Sequence, residues 1–210
     1  KNADLEKIVS ASQVPVINGC CEKYHPCQAL TDIFTVREHS EKDLREIQIV
    51  YLGVQNNVSN SLALICSALG IKLILSTPER QNNEESAEFE VAQIIKESPF
   101  VSHESDPTKI VHLADFVYTD TWVDMQYFND PGHKNKSAER IERLIKYQVN
   151  TELLAGLQCK IMHDMPIHDG YEITDEMVRD RRSIIFQQAE NRLHAQKGLL
   201  WWLFEQAGAI

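Results

Sequence analysis

The chain alternates short apolar runs with longer stretches in which apolar residues recur at helical spacing. The clearest run is IQIVYLG, residues 47–53, which predicts a buried strand. Further strands are predicted at residues 14–18, 71–76, 116–120, 159–163 and 183–186. Helices are predicted at residues 3–12, 26–39, 58–69, 86–97, 134–147 and 189–205. This order predicts an α/β fold in which helices flank a parallel sheet.

Composition narrows the class of protein. The 210 residues are 43% apolar and 25% charged, as in an ordinary globular protein. No apolar run approaches the roughly 18 residues of a membrane span, and the net charge of −10 argues against a nucleic-acid partner. The 5 cysteines lack disulfide-framework spacing, so we expect a cytoplasmic protein. Because the chain starts within a predicted helix and not with Met, we expect a part of a longer protein.

In a parallel α/β sheet, ligands bind at the carboxyl ends of the strands, and four such places here carry unusual polar residues. The first is the segment HPCQ, residues 25–28. Pro26 suits the first turn of a helix, which places His25 at the positive end of the helix dipole. Gln28 follows one turn later on the same face, so both side chains could donate to one carbonyl oxygen. The alternative is that His25 only caps the helix.

The second place is the segment GVQNN, residues 53–57, between a strand and a helix. A dinucleotide-binding loop would carry G-x-G-x-x-G there, and only Gly53 is present. This argues against a nucleotide-dependent oxidoreductase. Asn56 and Asn57 instead offer side-chain amides, and we expect one of them to cap the helix and leave the other for a ligand.

The third and fourth places are the segments DTWVDM, residues 120–125, and HDMP, residues 163–166. A carboxylate at a strand end, such as Asp120, can orient an ammonium group or accept its proton, although a solvated turn is the alternative. Arg192, near the start of the last helix, offers several donors in one plane to an oxygen-rich ligand. A surface ion pair is the alternative role for this arginine.

Metal chemistry is not predicted. Cys20, Cys21, His25 and Cys27 are close in sequence, but no second pair of ligands at metal-binding spacing accompanies them. A thiol inside a helix with apolar neighbours, as at Cys27, is usually a core residue and not a nucleophile. We therefore expect neither a metal nor another cofactor.

Taken in order along the chain, the segments form a recognisable series. His-Pro-x-Gln after PVING is followed by Gly-x-x-Asn-Asn, Asp-x-Trp, His-x-x-Pro and Ala-Glu-Asn-Arg, over nearly all 210 residues. This series resembles the aspartate and ornithine carbamoyltransferase family. It is most similar to the ornithine branch, in YHPCQALTD at residues 24–32 and QAENRLHAQK at residues 188–197.

The resemblance implies a fold and an activity. The fold would be a Rossmann-like parallel sheet flanked by helices, the second domain of a two-domain carbamoyltransferase. The enzyme would move the carbamoyl group of carbamoyl phosphate to the amine of an amino acid, with ornithine, giving citrulline, as the leading substrate. The alternatives are a carbamoyltransferase for another amine, or a non-catalytic paralogue or assembly domain of the same fold.

The resemblance also implies roles for individual residues. His25, Gln28 and Arg192 would be catalytic and would bind carbamoyl phosphate together with His163. Donors fixed before the reaction would stabilise the negative charge that builds on the carbamoyl oxygen, and side-by-side binding of the two substrates would supply much of the remaining acceleration. The amino acid would be held by Asn57, Asp120, Asp124, Met125, Asp164 and Met165.

Three departures from the family pattern bear on the substrate. The ornithine branch carries Asp-x-x-x-Ser-Met-Gly and His-Cys-Leu-Pro, where this chain has DTWVDMQ at residues 120–126 and HDMP at residues 163–166. Asp124 and Asp164 thus add carboxylates beside Asp120, which favours a cationic amine and argues against aspartate. The alternative is that these acids point to solvent or to each other. The Ser-Thr-Arg-Thr segment with which the family binds phosphate does not occur in these residues.

A domain division follows from the same resemblance. Residues 1–12 are expected to end the preceding domain or form a linker helix, residues 13–188 to form the amino-acid-binding domain, and residues 189–210 to return toward an N-terminal carbamoyl-phosphate domain. Trp201, Trp202 and Phe204 would then form an exposed patch that this domain covers. The family also implies a homotrimer.

Overall fold

The computed structural model describes residues 1–78, 89–123 and 134–208. Its sheet has five parallel strands, β1 (Gln48–Leu52), β2 (Lys72–Ser76), β3 (Val101–His103), β4 (Phe116–Thr119) and β5 (Lys160–His163). The α-helices are α1 (Asn2–Ala11), α2 (Pro26–Glu38), α3 (Asn57–Leu69), α4 (Phe89–Glu97), α5 (Lys134–Leu144), α6 (Asp175–Val178) and α7 (Ile185–Gln206). Short 3-10 turns lie at Leu44–Glu46, Pro107–Lys109, Val111–Leu113 and Ile145–Tyr147.

The strand order is β3-β2-β1-β4-β5. The chain winds outward from β1 to β3, crosses back, and continues through β4 to β5, so the direction of winding reverses between β1 and β4. Leu52 pairs with Ser76 on one side and with Thr119 on the other, so these strands end level with one another. A doubly wound sheet binds its ligands at such a reversal, outside the carboxyl ends of the strands. The predicted Rossmann-like α/β fold is confirmed.

Each face of the sheet carries a separate apolar core. Tyr51 points into the core beneath α2, α3 and α4, whereas Val50 and Leu52, its neighbours in β1, point into the core on the opposite face. This alternation is the two-residue period of a strand buried on both sides, and it explains why β1 is apolar throughout. Helices α2 and α7 pack against each other and thereby carry the segments HPCQ and AENR to one place.

Two predicted strands are wrong. Residues 14–18 form no strand, and Val14 is exposed with its N–H bonded to Oγ of Ser12 at 3.2 Å. In residues 183–186, Ser183 makes an isolated bridge to Ile161 before α7 begins. An apolar run of four residues does not distinguish a strand from the first turn of a buried helix.

The other predicted elements are confirmed with small shifts of their ends, and for the helix at residues 86–97 the structure describes Phe89–Glu97. The hydrophobic pattern does not predict β3, because this three-residue edge strand buries one side chain, that of Val101. Within the described ranges, no helix combines the length and the apolar character needed to cross a bilayer.

Candidate active site

A hydrogen bond joins the ends of β1 and β4 at the reversal of the sheet. Asn56 caps α3, since its Oδ1 accepts from the N–H groups of Val58 and Ser59 at 3.1 Å each. Its Nδ2 donates to Oδ2 of Asp120, while Oδ1 of Asp120 accepts from the N–H of Thr121 at 2.6 Å. Asp120 is therefore a buried carboxyl group held by neutral donors, and not part of a solvated turn.

Asn57 fixes the loop that leads into α2. Its Nδ2 donates to the carbonyl oxygen of Cys21 at 2.8 Å, and its own carbonyl oxygen accepts from Oγ of Ser61 at 2.9 Å. The same Ser61 Oγ accepts from the N–H of His25 at 2.7 Å. Asn57 thus helps to place His25, and its amide is already engaged by this loop.

His25 begins α2 but makes no capping bond with its side chain. Its Nδ1 is buried and has no hydrogen-bond partner among the described residues. Burial, and then the positive charge of Arg192, lower the pKa of His25 to about 4. The imidazole is therefore neutral at neutral pH, and as a neutral ring it carries one N–H donor.

Gln28 and Arg192 belong to a buried hydrogen-bond network that links α2, β4 and α7. Nη1 of Arg192 donates to Oε1 of Gln28, and Nε2 of Gln28 donates to Oδ1 of Asp32 at 2.7 Å. Asp32 also accepts from Nε2 of Gln188 at 2.7 Å and from the hydroxyl of Tyr118 at 3.1 Å. Burial raises the pKa of Asp32 to about 7, although the three donors lower it. The network fixes the orientation of the Gln28 amide and of the guanidinium bonded to it.

His163 uses both ring nitrogens within the protein. Its Nε2 lies 3.2 Å from Oε1 of the buried Glu172, and its Nδ1 accepts from the N–H of Met165 at 2.8 Å. This pattern places the ring proton on Nε2. The contact with Met165 holds the turn after β5, in which Met165 has φ 62° and a cis bond to Pro166.

Asp120 and Asp164 meet at the ends of β4 and β5. Both carboxyl groups are buried, and the side chain of Asp164 is only 9% exposed. Burial, and then the negative charge of Asp120, raise the pKa of Asp164 well above its ordinary value. One carboxyl oxygen of Asp120, one of Asp164 and one ring nitrogen of His163 all lie within 4.8 Å of one another, so these three atoms could bind a metal ion together. A cation bound by all three would have to displace the Met165 N–H from Nδ1 of His163.

Two protein-family models match this chain, and between them they cover most of its residues. The model for the Asp/Orn binding domain of aspartate/ornithine carbamoyltransferase matches residues 45–203, and the model for the carbamoyl-P binding domain of the same family matches residues 1–38. The chain belongs to the aspartate/ornithine carbamoyltransferase family. The carbamoyltransferase resemblance drawn from the sequence is therefore confirmed.

Curated members of the carbamoyltransferase family are similar along nearly the whole chain. The ornithine carbamoyltransferase of Methanopyrus kandleri is 41% identical over 95% of this chain and 62% of its own length. That of Methanococcus maripaludis is 39% identical over 96% of this chain and 66% of its own length. The chain thus spans slightly less than two thirds of these relatives.

Solved carbamoyltransferase structures have the same fold. Ornithine carbamoyltransferase from Pyrococcus furiosus superposes with a TM-score of 0.81 at 36% identity, over 94% of this chain and 62% of that one. The anabolic ornithine carbamoyltransferase from Campylobacter jejuni gives a TM-score of 0.84 at 27% identity, over 98% of this chain and 67% of that one.

The structure brings most of the predicted site residues to one edge of the sheet. Gln28 and Arg192 are in direct contact, and the charge of Arg192 acts on His25. Met165 is partly exposed, at 37%, beside the turn that Oγ1 of Thr121 ties to the carbonyl oxygen of Pro166 at 2.9 Å. The predicted residues Asp124 and Met125 lie outside the described residues.

The sequence analysis missed the residues that orient the predicted site residues through hydrogen bonds. Asp32 stands one turn after Gln28 on a buried helix face, and a polar pair at that spacing among apolar residues was the available signal. Gln188 and Glu172 give no such signal, because their partners lie 156 and 9 positions away in the chain. Cys20 was considered only as a metal ligand, yet its exposed thiol accepts from Nδ2 of Asn57 at 3.4 Å at the mouth of the site.

Proposed function

We propose that the complete protein transfers the carbamoyl group of carbamoyl phosphate to an amino group of ornithine, giving citrulline. The observation that supports this proposal most is the bond from Arg192 to Gln28, whose N–H donates to the carbonyl oxygen of His25 at 3.1 Å in the first turn of α2. The relatives from Methanopyrus kandleri and Methanococcus maripaludis, both named ornithine carbamoyltransferase, support the choice of acceptor.

The proposed mechanism is stabilisation of charge by donors fixed in advance. As a neutral amine attacks the planar carbamoyl carbon, negative charge builds on the carbonyl oxygen. Arg192 supplies a permanent cation, His25 a neutral N–H donor, and Gln28 the N–H that its bond to Asp32 leaves unused. Because Asp32 already orients the amide, little reorganisation is needed when the charge develops. The bond from carbon to phosphate oxygen then breaks, and phosphate leaves.

The amino acid is proposed to bind across the ends of β1, β4 and β5. Asp120 and Asp164 would attract its ammonium group, and the exposed Met165 would contact its carbon chain. Asn57, Asp124 and Met125 complete the proposed set. For His163 we propose an indirect part at the carbamoyl phosphate side, through Gln188, whose Oε1 accepts from the N–H of His163 at 2.9 Å.

We propose that the phosphate group of carbamoyl phosphate is bound by residues outside this chain. We assign residues 1–12 to the preceding domain or linker, residues 13–188 to the amino-acid-binding domain and residues 189–210 to a helix returning toward the carbamoyl-phosphate domain. Exposed apolar side chains on α7 support that assignment, since Trp201, Trp202 and Phe204 are each more than half exposed. We also propose that the protein is a homotrimer and that it is cytoplasmic. The free thiols of all 5 cysteines support the proposed location.

Citrulline formation by the full-length protein tests this function. Carbamoyl phosphate would be supplied with ornithine, lysine, putrescine or aspartate, and we expect ornithine to give the highest kcat/KM and aspartate to give no product. Product from none of the four amines would favour the alternative, a non-catalytic paralogue, which the carboxyl group of Asp164 motivates. Residues 1–210 alone should show no turnover, and full activity in that fragment would contradict the proposed need for a second domain.

A further inference from the structure

Two tyrosines stand side by side in adjacent strands of the sheet, Tyr51 in β1 and Tyr118 in β4. Both are fully buried in the core beneath α2, α3 and α4, where a purely apolar side chain would pack without a hydroxyl group to satisfy. A buried hydroxyl is costly unless it is hydrogen-bonded, so the partners of each hydroxyl show what the tyrosine holds in place.

Tyr118 connects β4 to the residues proposed to act on the carbamoyl group. Its hydroxyl donates to Oδ2 of Asp32 at 3.1 Å, whereas Oδ1 of Asp32 accepts from Gln28 and Gln188. Burial, and then the negative charge of Asp32, raise the pKa of the Tyr118 hydroxyl well above its ordinary value, so this group keeps its proton and remains a donor. Tyr118 thus holds the carboxyl group that orients the Gln28 amide.

Tyr51 connects β1 to the residues proposed to bind the amino acid. Its hydroxyl lies 3.0 Å from the carbonyl oxygen of Val54 and 3.3 Å from Oδ1 of Asn56, and both oxygens are acceptors for its single proton. Asn56 in turn caps α3 and donates from Nδ2 to Asp120. Tyr51 thus holds the loop and the amide that fix the carboxyl group of Asp120.

The two tyrosines contact each other through their rings. The ring centroids are 5.6 Å apart and the ring planes make an angle of 81°, the edge-to-face arrangement that aromatic pairs favour. Because a core at native density leaves little room for independent movement, a displacement of one ring changes the packing of the other. An unbroken series of contacts therefore joins Asp32, through Tyr118, Tyr51 and Asn56, to Asp120.

We propose that Tyr51 and Tyr118 are positioning residues that link the two substrate-binding parts of the site. The link rests on the proposed function, because it joins the acid that orients the donors for the carbamoyl group to the acid proposed to bind the amino acid. Among the residues that the structure describes, Tyr51 makes no hydrogen bond to Asp32, and Tyr118 makes none to Asn56. The link therefore predicts crosswise effects, in which loss of either hydroxyl weakens binding of the substrate on the far side as well.

Crosswise effects can be measured on the full-length protein without turnover. Calorimetry would give the Kd of carbamoyl phosphate alone, and the Kd of norvaline, an ornithine analogue without the δ-amino group, at saturating carbamoyl phosphate. Tyr51→Phe should weaken carbamoyl phosphate binding and Tyr118→Phe should weaken norvaline binding, each by about 3- to 10-fold, the range expected for an aromatic edge contact. In the double variant each Kd should rise by less than the product of the two single changes, because either substitution alone breaks the link.

Tyr147→Phe is the matched control. Tyr147 is equally buried and its hydroxyl donates to the carbonyl oxygen of Ser105 at 2.7 Å, but it lies in the core on the opposite face of the sheet. This variant should lose thermal stability as the other two do, and should leave both Kd values unchanged. An equal rise of the Kd values in Tyr147→Phe would overturn the link, because general loosening of the core would then explain the effects.

Two further results would also overturn the link. The first is a purely local pattern, in which Tyr51→Phe changes only norvaline binding and Tyr118→Phe changes only carbamoyl phosphate binding. The second is a double variant whose Kd values equal the product of the single changes. Each single variant tests the link by itself, so the inference remains testable if the other fails to fold. Crosswise changes without citrulline formation would refute only the proposed activity, whereas citrulline formation with purely local changes would refute only the link.

Discussion

The two ends of the candidate site differ in how their buried acids are held. We call the end around Asp32, Gln28 and Arg192, proposed to bind the carbamoyl group, the carbamoyl end, and the end around Asp120 and Asp164, proposed to bind the amino acid, the amino-acid end. At the carbamoyl end, Asp32 receives three donors, and two of them, Gln28 and Gln188, connect it to further residues of the site. At the amino-acid end, Asp120 and Asp164 face each other and a buried oxygen has no partner among the described residues.

The difference separates two ways of preparing a site. A buried acid that accepts from three neutral donors keeps those donors oriented before substrate binds, as stabilisation of a developing charge requires. Two neighbouring buried acids without a cation among the described residues favour the binding of one. We therefore expect changes at the carbamoyl end to lower kcat, and changes at the amino-acid end to raise the KM for the acceptor.

The largest effect is expected from removing the cation of the carbamoyl end. Arg192→Met removes the donor bonded to Gln28, and loss of one such donor should lower kcat for citrulline formation by about 10²- to 10³-fold. Arg179→Ala is the control, because this arginine is 75% exposed and pairs with Asp175 on the surface. A similar loss of kcat in both variants would contradict a specific role for Arg192 and would remove this support for the distinction between the two ends.

The next effect is expected at the acid behind the carbamoyl end. Asp32→Asn can keep an oxygen toward Gln28 and Gln188, but its NH2 group then faces the hydroxyl of Tyr118, which donates in the wild type. The free energy of unfolding should therefore fall by about 1.5 kcal/mol. Burial raises the pKa of Asp32 from 3.8 to about 7, so the native state holds this proton more tightly than the unfolded chain does. Wild type should therefore lose stability as pH rises from about 4 to about 7.

Urea unfolding at several pH values checks both parts of this prediction. The decline between pH 4 and pH 7 should be shallower in Asp32→Asn, because the titrating group is gone. Asp4→Asn on the exposed face of α1 is the control and should follow wild type. An unchanged pH dependence in Asp32→Asn would show that another group causes the decline.

A smaller effect is expected at the support of the turn after β5. Glu172→Ala removes the acceptor for Nε2 of His163 and for the N–H of His168, so the turn carrying Asp164 should loosen. We expect the KM for ornithine to rise about 10-fold, as for loss of a residue that orients another, with a smaller change in kcat. Glu172→Gln retains an acceptor oxygen and should restore most of the affinity. A loss confined to kcat would place Glu172 with the carbamoyl end instead.

The smallest effect concerns the charge of His25. Its pKa is lowered from 6.5 to about 4 by burial and by Arg192, so stability from the neutral ring is complete above about pH 6.5 and is lost as pH falls toward 4. NMR titration of the ring should give a midpoint near pH 4, and kcat should show no His25 titration between pH 5 and pH 8. A midpoint near pH 6.5 would mean that the ring is not enclosed as described.

The sequence predicts the fold, and the residues proposed to contact substrate, better than it predicts the residues that orient them. The apolar run of β1, Asp120 at the end of β4 and Arg192 in the AENR segment of α7 are local signals, which can be read without knowledge of contacts. Gln188 and Glu172 are not found this way, because each acts through a partner that only the folded chain brings near. The short edge strand β3 is not predicted either, because three residues with one buried side chain show no alternation of apolar and polar positions.

The charge at the carbamoyl oxygen can be measured directly. Isotope-edited infrared difference spectra of ¹³C-labelled carbamoyl phosphate bound to the full-length protein report the polarisation of its carbonyl bond. If His25, Gln28 and Arg192 converge on that oxygen, the carbonyl stretch should move to lower frequency on binding, and Arg192→Met should return most of the shift. A bound carbonyl with the same frequency as in water, in a protein that nevertheless forms citrulline, would contradict the account.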